Sequence, residues 1–304
     1  MNRHVDLTID LIEKFDVPVP RYTSYPMVPH WSNDFNHLNF FNHLKKVSQT
    51  TDDLSLYLHL PFCGRRCFFC ACNVLVSSNM RQIDKYIDYV EKELKSDITH
   101  LGDNKKVTQF HLGGGTPTHL TPEQLDRLLE MVNAHFKIDH EAERSIEVHP
   151  SVTSSEHIDI LKDWGFNRLS VGIQDFDPFV QEKINRFQTF EETQKLIEYA
   201  RQIGFESVNG DLIYGLPYQT SERFQETIDQ ILLIRPDRLA VYSYAHMPKQ
   251  IKHQSIFPPE SLPDSQKKVQ LFLDARVKLL DNDYFQIGFD HFAVEKDDLW
   301  ISYL

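Results

Sequence analysis

The chain has 304 residues, with 32 basic and 44 acidic side chains and a formal net charge of −12. That balance excludes a bulk attraction for nucleic acid or for an anionic membrane surface. No apolar run reaches the about eighteen residues of a membrane span, and the 41% hydrophobic and 25% charged content fits one large packed core.

Residues 1–50 read as an N-terminal arm. Leu7, Ile9, Leu11 and Ile12 predict a short helix. Pro18-Val-Pro20-Arg21-Tyr22-Thr23-Ser24-Tyr25-Pro26 predicts an extended, specific segment, because three prolines restrict their own residues and those before them. An ordinary packed arm is the plainer alternative. The first residues, Met1 to Thr8, do not read as a signal peptide.

A βα rhythm begins at residue 54. Leu54 to Leu60 alternates strictly, leucines on one face and Ser55, Tyr57 and His59 on the other, which predicts a strand. Cys63-Gly-Arg-Arg-Cys67-Phe-Phe-Cys70-Ala-Cys72 follows and holds all four cysteines of the chain. Thiolates at C-x3-C-x2-C spacing suit one face of an iron–sulfur cluster. Zinc completed by histidine and a chance cluster of small apolar residues stay open as alternatives, whereas a disulfide framework fits poorly. Free clustered thiols and the absence of a signal suit a reducing cytoplasm.

A helix is expected around Ile83, Ile87, Val90 and Leu94, and a second strand over Val107 to Leu112 runs into Gly113-Gly-Gly-Thr-Pro117. Thr121, Pro122 and Gln124 predict a capped helix start. Further strands are expected over Ser145–His149, Leu169–Gln174, Ser207–Tyr214 and Leu239–Ala245. A helix is expected over Ser265–Leu280, and one last strand over Phe285–Phe292. Gly165 and Gly204, each before a phenylalanine entering a strand, predict left-handed helix caps 39 residues apart in a faint βα repeat. About seven strands with intervening helices predict an α/β fold with a parallel sheet. Polar residues near the strands' C-terminal ends (Tyr57, His59, Glu147, His149, Gln174, Asp211) place a site there, as in (β/α) barrels. A doubly wound open sheet is the alternative.

These motifs resemble the radical S-adenosylmethionine (SAM) superfamily: Tyr57-Leu-His-Leu-Pro-Phe-Cys63 with Cys67 and Cys70, then the glycine run. Arg21 to Pro26, Cys72, Asn167-Arg-Leu-Ser, Gln174-Asp-Phe, Asp211 to Pro217, Tyr244 to Pro248 and Asp290-His-Phe292 resemble, in order, the oxygen-independent coproporphyrinogen III oxidase family.

The resemblance implies a partial (β/α)6-type radical SAM barrel over residues 51–304. It implies a [4Fe–4S] cluster on Cys63, Cys67 and Cys70, with Cys72 not a ligand. It implies two SAM molecules contacted by Tyr57, Phe69, Gly114, Gly115, Thr116, Glu147, Gln174, Arg186, Asp211 and Ala245. Helix capping or buried hydrogen bonding in the barrel is the plainer alternative for Glu147, Gln174 and Asp211 taken singly. The implied reaction takes hydrogen, CO2 and an electron from each of two propionates of coproporphyrinogen III. The implied partners are the porphyrinogen and an electron donor of unknown identity, with no nucleic acid or membrane and a monomeric chain. Arg21, Arg65, Arg66 and Arg186 are candidate cations for an acidic substrate. A cluster-containing haem-binding or chaperone relative without turnover is the alternative function.

Two departures stand out. His149 occupies a position where the family usually has a carboxylate. The family's C-terminal helical domain is expected to be absent after Leu304, which carries the expectation of cluster binding with weak or absent decarboxylation.

Overall fold

The computed structural model describes Asp10, Leu11, Lys14 and residues 30–102 and 105–304. The prolyl-tyrosyl segment and Arg21 lie outside the described residues. The expected arm contains one helix that the periodicity did not flag, α1 (His37–Val47). Asn36 caps it, with Asn39 reaching back to complete a capping box. Leu44 and Val47 pack against the core.

Strand β1 (Leu54–Leu60) leads to β2 (Phe62–Cys63) and β3 (Leu75–Val76). Helix α2 (Met80–Leu101) and β4 (Lys106–Gly114) follow. Then come α3 (Pro122–His135), β5 (Lys137–Val148), α4 (Ser155–Asp163), β6 (Arg168–Gln174), α5 (Pro178–Lys183) and α6 (Phe190–Gln202). The chain continues through β7 (Ser207–Tyr214), α7 (Ser221–Ile234), β8 (Arg238–Ser243), α8 (Ser265–Leu280), β9 (Tyr284–Ile287), β10 (His291–Val294) and α9 (Asp298–Tyr303).

Eight strands form one sheet in the order β1-β4-β5-β6-β7-β8-β10-β9. The six from β1 to β8 are parallel neighbours. Helices connect them because parallel neighbours need a crossover. The expected last strand is corrected: it is an antiparallel hairpin, β10 pairing with both β9 and β8. Gly288, with φ of +62°, makes the turn that splits it. Strand β5 runs twelve residues, well beyond the expected Ser145 start.

The alternation within each strand separates two faces. Leu58, Leu60, Ile146, Val148, Leu169, Val171, Val208 and Leu212 are buried in the core. Helix α2 covers part of that core with Ile83, Ile87, Val90 and Leu94, each worth about 1.5–3 kcal/mol of transfer free energy before entropy is charged. The other face carries Tyr57, His111, Glu147, Ser170 and Asp211, and these converge near the strands' C-terminal ends.

Candidate active site

The cysteine loop is closed at its base by the β2–β3 ladder. Leu75 N–H donates to Pro61 O at 2.7 Å and Ser77 N–H to Cys63 O at 3.1 Å. Two distant segments brace it. His253 Nε2 donates to Cys70 O at 2.8 Å, and buried Gln254 donates to Phe69 O at 3.2 Å and Ala245 O at 3.1 Å. From the other side, His119 holds Ser77 O at 2.8 Å and packs against Gly64. The loop is thus fixed by contacts with residues up to 185 positions away.

Cys63, Cys67, Cys70 and Cys72 are all free thiols and line a cavity of about 1100 Å3. Cys72 is the exposed one. Cys63 Sγ lies 3.5 Å from Thr116 Oγ1, and burial pushes its thiol up. Cys70 is pulled down to about 6 by hydrogen bonding from Cys72, whose N–H lies 3.4 Å from the Cys70 sulfur, with help from Arg66 and Arg186.

The donor set discriminates between metals. Four ligands on one zinc at about 2.3 Å would lie about 3.8 Å apart. Among the described residues, Asp139, His140 and Glu141 are the one group of three such ligands within 4.8 Å of one another. No three of the cysteine sulfurs lie within 4.8 Å of one another, as a mononuclear zinc site would require. Three soft donors spaced around a cavity fit a polynuclear iron–sulfur cluster instead.

The glycine run ends β4 against the end of β1. Gly115 N–H donates to Leu60 O at 2.8 Å and Thr116 N–H to Phe62 O at 2.9 Å. A Cβ on Gly115 would lie 2.7 Å from Phe62 O and 2.8 Å from Pro61 C, so only glycine allows this approach. Gly114 has φ of +123°, and its N–H is taken by Glu147 Oε2 at 3.0 Å.

Burial alone would raise Glu147, but His111 and the Gly114 N–H outweigh it and hold the carboxyl below its ordinary value. Asp211 behaves oppositely: burial lifts it to about 6, against hydrogen bonds from Asn209 at 2.8 Å and Ser170 at 3.2 Å. At neutral pH the face therefore carries a firm anion at Glu147 and a readily protonated carboxyl at Asp211.

Gln174 sits at φ of +69°, rare for a residue with a Cβ, at a register shift between β6 and β7. That strain falls on a cavity-lining side chain, as functional strand ends often show. Arg186 is buried. It donates to Gly172 O, to Gln188 Oε1 at 3.1 Å and toward Cys67 Sγ at 3.7 Å. Burial and Arg186 push the His149 imidazole down to about 3, so this cavity residue is neutral.

Phe69, Gly114, Gly115, Thr116, Glu147, Gln174, Arg186 and Asp211 all line the same cavity as the three cysteines. Tyr57 and Ala245 lie beside it rather than in its lining. Tyr57 OH donates to His59 Nδ1 at 2.9 Å, because His59 Nε2 must donate to Asn73 O. Its ring touches the space that a Cβ on Gly113 would take. Ala245 reaches the loop through Gln254. Sequence reasoning missed Gln188 and Gln254. Gln188 is buried, and its amide donates to Ile173 O at 2.6 Å while its oxygen holds Arg186. Neither glutamine belongs to a local pattern that spacing reveals.

The radical SAM superfamily matches residues 57–231 of this chain. The chain is similar to the oxygen-independent coproporphyrinogen III oxidase of Salmonella typhimurium, 40% identical over 300 residues, covering 99% of this chain and 65% of that protein. A relative of the same name in Helicobacter pylori is 41% identical over 303 residues, covering 97% and 66%. The solved coproporphyrinogen III oxidase of Escherichia coli superposes with a TM-score of 0.91 at 38% identity, over 98% of this chain and 66% of that one. Streptococcus suis SuiB, solved with its precursor peptide, is 18% identical with a TM-score of 0.51 and shares the fold alone. This chain spans slightly under two thirds of the length of the curated relatives it matches. With four free thiols on one loop, a glycine cradle at the next strand end and a match across more than half its length, the chain belongs to the radical SAM superfamily.

Proposed function

We propose that this chain carries the radical SAM core, residues 51–304 behind an arm over 1–50, of an oxygen-independent coproporphyrinogen III oxidase. The observation that carries the reading is one cavity lined by Cys63, Cys67 and Cys70 together with the ends of four successive strands. Sequence identity to the named oxidases along nearly all of this chain supports the substrate. Their names do not favour the haem-chaperone alternative.

Cys63, Cys67 and Cys70 would hold a [4Fe–4S] cluster through three thiolates, with SAM bound beside it in the cavity. When bound, the cluster and SAM would supply the one-electron, hydrogen-abstracting chemistry by which a propionate becomes a vinyl group, CO2 being released and one electron passing to a separate acceptor. Arg186 would clamp a carboxylate with the N–H groups left over from Gly172 O and Gln188, which hold its guanidinium plane. Glu147 and Asp211 offer acceptors for ammonium or ribose hydroxyl groups. Gln174, Gly114, Gly115 and Thr116 shape the wall, Phe69 supplies an apolar contact, and Tyr57 and Ala245 flank it. A volume of about 1100 Å3 exceeds the usual single-ligand range and supports two SAM molecules.

A separate one-electron donor is a partner on this reading. Four unbridged thiols suit a reducing cytoplasm, and the chain is a monomer on this reading. An acidic surface without a long apolar helix among the described residues suits a protein that binds neither nucleic acid nor membrane.

The test is anaerobic reconstitution with iron and sulfide, then reductant and SAM, with 5′-deoxyadenosine measured with and without coproporphyrinogen III. Substrate-stimulated 5′-deoxyadenosine with a tripropionate or protoporphyrinogen product is expected. A cluster whose SAM cleavage ignores the porphyrinogen would refute the substrate assignment.

A further inference from the structure

Three arginines line the cavity, and they are spent differently. Arg186 is buried and bonded to Gly172 O and Gln188. Arg66 donates to Val74 O at 3.0 Å. Arg65 is exposed, and among the described residues its guanidinium makes no ion pair or hydrogen bond. Its Cζ instead lies 4.6 Å from the ring centroid of Phe187. Phe187 is 47% exposed, follows Arg186 in sequence and lines the same cavity. A large aromatic ring half open to solvent at the cavity, covered only by a guanidinium among the described contacts, presents a face to whatever enters.

We infer that Arg65 and Phe187 form a substrate-receiving rim, Arg65 taking one peripheral carboxylate of the macrocycle and Phe187 contacting a pyrrole face. The inference rests on the porphyrinogen reading above. A guanidinium lying over a ring keeps the N–H groups along its edge free, and that edge matches a carboxylate bidentately. The ring fixes the plane, so less freedom is lost when the carboxylate arrives. The pair also links the cysteine loop to the segment after α5, so an occupied rim bridges two walls of the cavity. Glu147, Glu191, Glu192 and Asp211 line the same cavity and oppose carboxylates, so an arriving carboxylate needs a free cation such as Arg65.

The experiment uses full-length, cluster-loaded protein and coproporphyrin III as a stable tetracarboxylate probe, with binding read by fluorescence at two salt concentrations. Arg65→Gln is expected to weaken binding about tenfold, the lower end for a hydrogen bond to a charged group. The gap is expected to shrink at high salt, which a purely structural role would not do. Arg65→Lys keeps charge without the fork and is expected to fall between. Phe187→Leu, a second variant that leaves the charge in place, is expected to weaken binding with little salt dependence. With coproporphyrinogen III in turnover, KM is expected to rise more than kcat falls. Binding of Arg65→Gln within about twofold of the native protein at low salt would overturn the rim. If Arg65→Gln holds no iron, unchanged affinity in Phe187→Leu does the same. Native protein that binds no coproporphyrin III at all would overturn the substrate reading itself, a result distinct from a silent Arg65 substitution.

Discussion

Adding one methyl group at each of three adjacent glycines gives a graded prediction. At Gly115 the new Cβ meets backbone, 2.7 Å from Phe62 O and 2.8 Å from Pro61 C and O. Optimal carbon contacts are about 3.5–4.0 Å. The ends of β1 and β4 must therefore separate by more than about half an ångström. That stretches both backbone hydrogen bonds joining them, each worth about 0.5–1.5 kcal/mol, on top of about 1–3 kcal/mol for overpacking. Gly115→Ala is expected to cost about 2–6 kcal/mol and to displace Cys63 and Thr116.

Gly114→Ala adds the strain of φ at +123° and a 2.9 Å approach to the His59 ring. Gly113→Ala meets only side chains, Tyr57 at 3.0 Å and Glu147 at 3.1 Å, and its φ is ordinary. It is expected to cost about 1 kcal/mol, the mild end of overpacking. The assays are urea unfolding of the apoprotein and iron content after anaerobic reconstitution. Iron loading that is lost in Gly115→Ala and kept in Gly113→Ala fits the geometry. Equal effects at all three positions would refute the backbone-clash argument.

Further expectations concern single groups. Serine at Cys63, Cys67 or Cys70 is expected to abolish the visible absorbance of the reconstituted protein, whereas Cys72→Ser keeps it; loss in Cys72→Ser would make that residue a ligand. Buried Asp175 accepts from Thr227 and Gln219, each at 2.6 Å, and from Asp177 N–H at 2.8 Å, yet burial raises it to about 6. A carboxyl raised in the fold makes the protein most stable when protonated, so about 3 kcal/mol is lost as pH climbs from about 4 to above 6. Gln219 is pinned because its oxygen accepts from Gly215 N–H at 2.6 Å, so Asp175→Asn sets amide against amide. It is expected to be less stable than the native protein at pH 4, with the gap closing by pH 7; a gap that ignores pH would refute this. Gln188→Ala is expected to slow SAM cleavage while iron loading stays near native, because it frees Arg186 without touching a cysteine. Gln254→Ala leaves Phe69 O and Ala245 O unpaired and is expected to cost about 1–3 kcal/mol in urea unfolding.

Local sequence made the parallel core readable because one face of each strand is strictly apolar. Leu54–Leu60 and Ser207–Tyr214 fall where alternation put them. The Thr121–Gln124 capping box and the left-handed glycines at 165 and 204 are equally local, and all are present. The last hairpin was hidden because Gly288 reads as a tolerated strand glycine until pairing partners are known. The helix at His37 was hidden because asparagine replaces the usual serine and glutamate in its capping box. At the site, the residues named through family motifs converge on one cavity, with Tyr57 and Ala245 beside it. Gln188 and Gln254 were illegible because each bonds backbone carbonyls whose positions depend on the tertiary fold.

The supports of the cysteine loop lie far along the chain. Cys67 faces Arg186, 119 residues later, and Cys70 is held by His253, 183 residues later. At ribosomal speeds of about 5–20 residues per second, Cys70 leaves the ribosome roughly 10–40 s before its brace does. Throughout that interval four thiols hang on an unshaped segment, open to oxygen and to stray metals. Cluster delivery that waits for residue 254 meets a rigid receptor. Delivery before then meets a flexible peptide, so timing during synthesis, as well as affinity, governs which metal this protein ends up carrying.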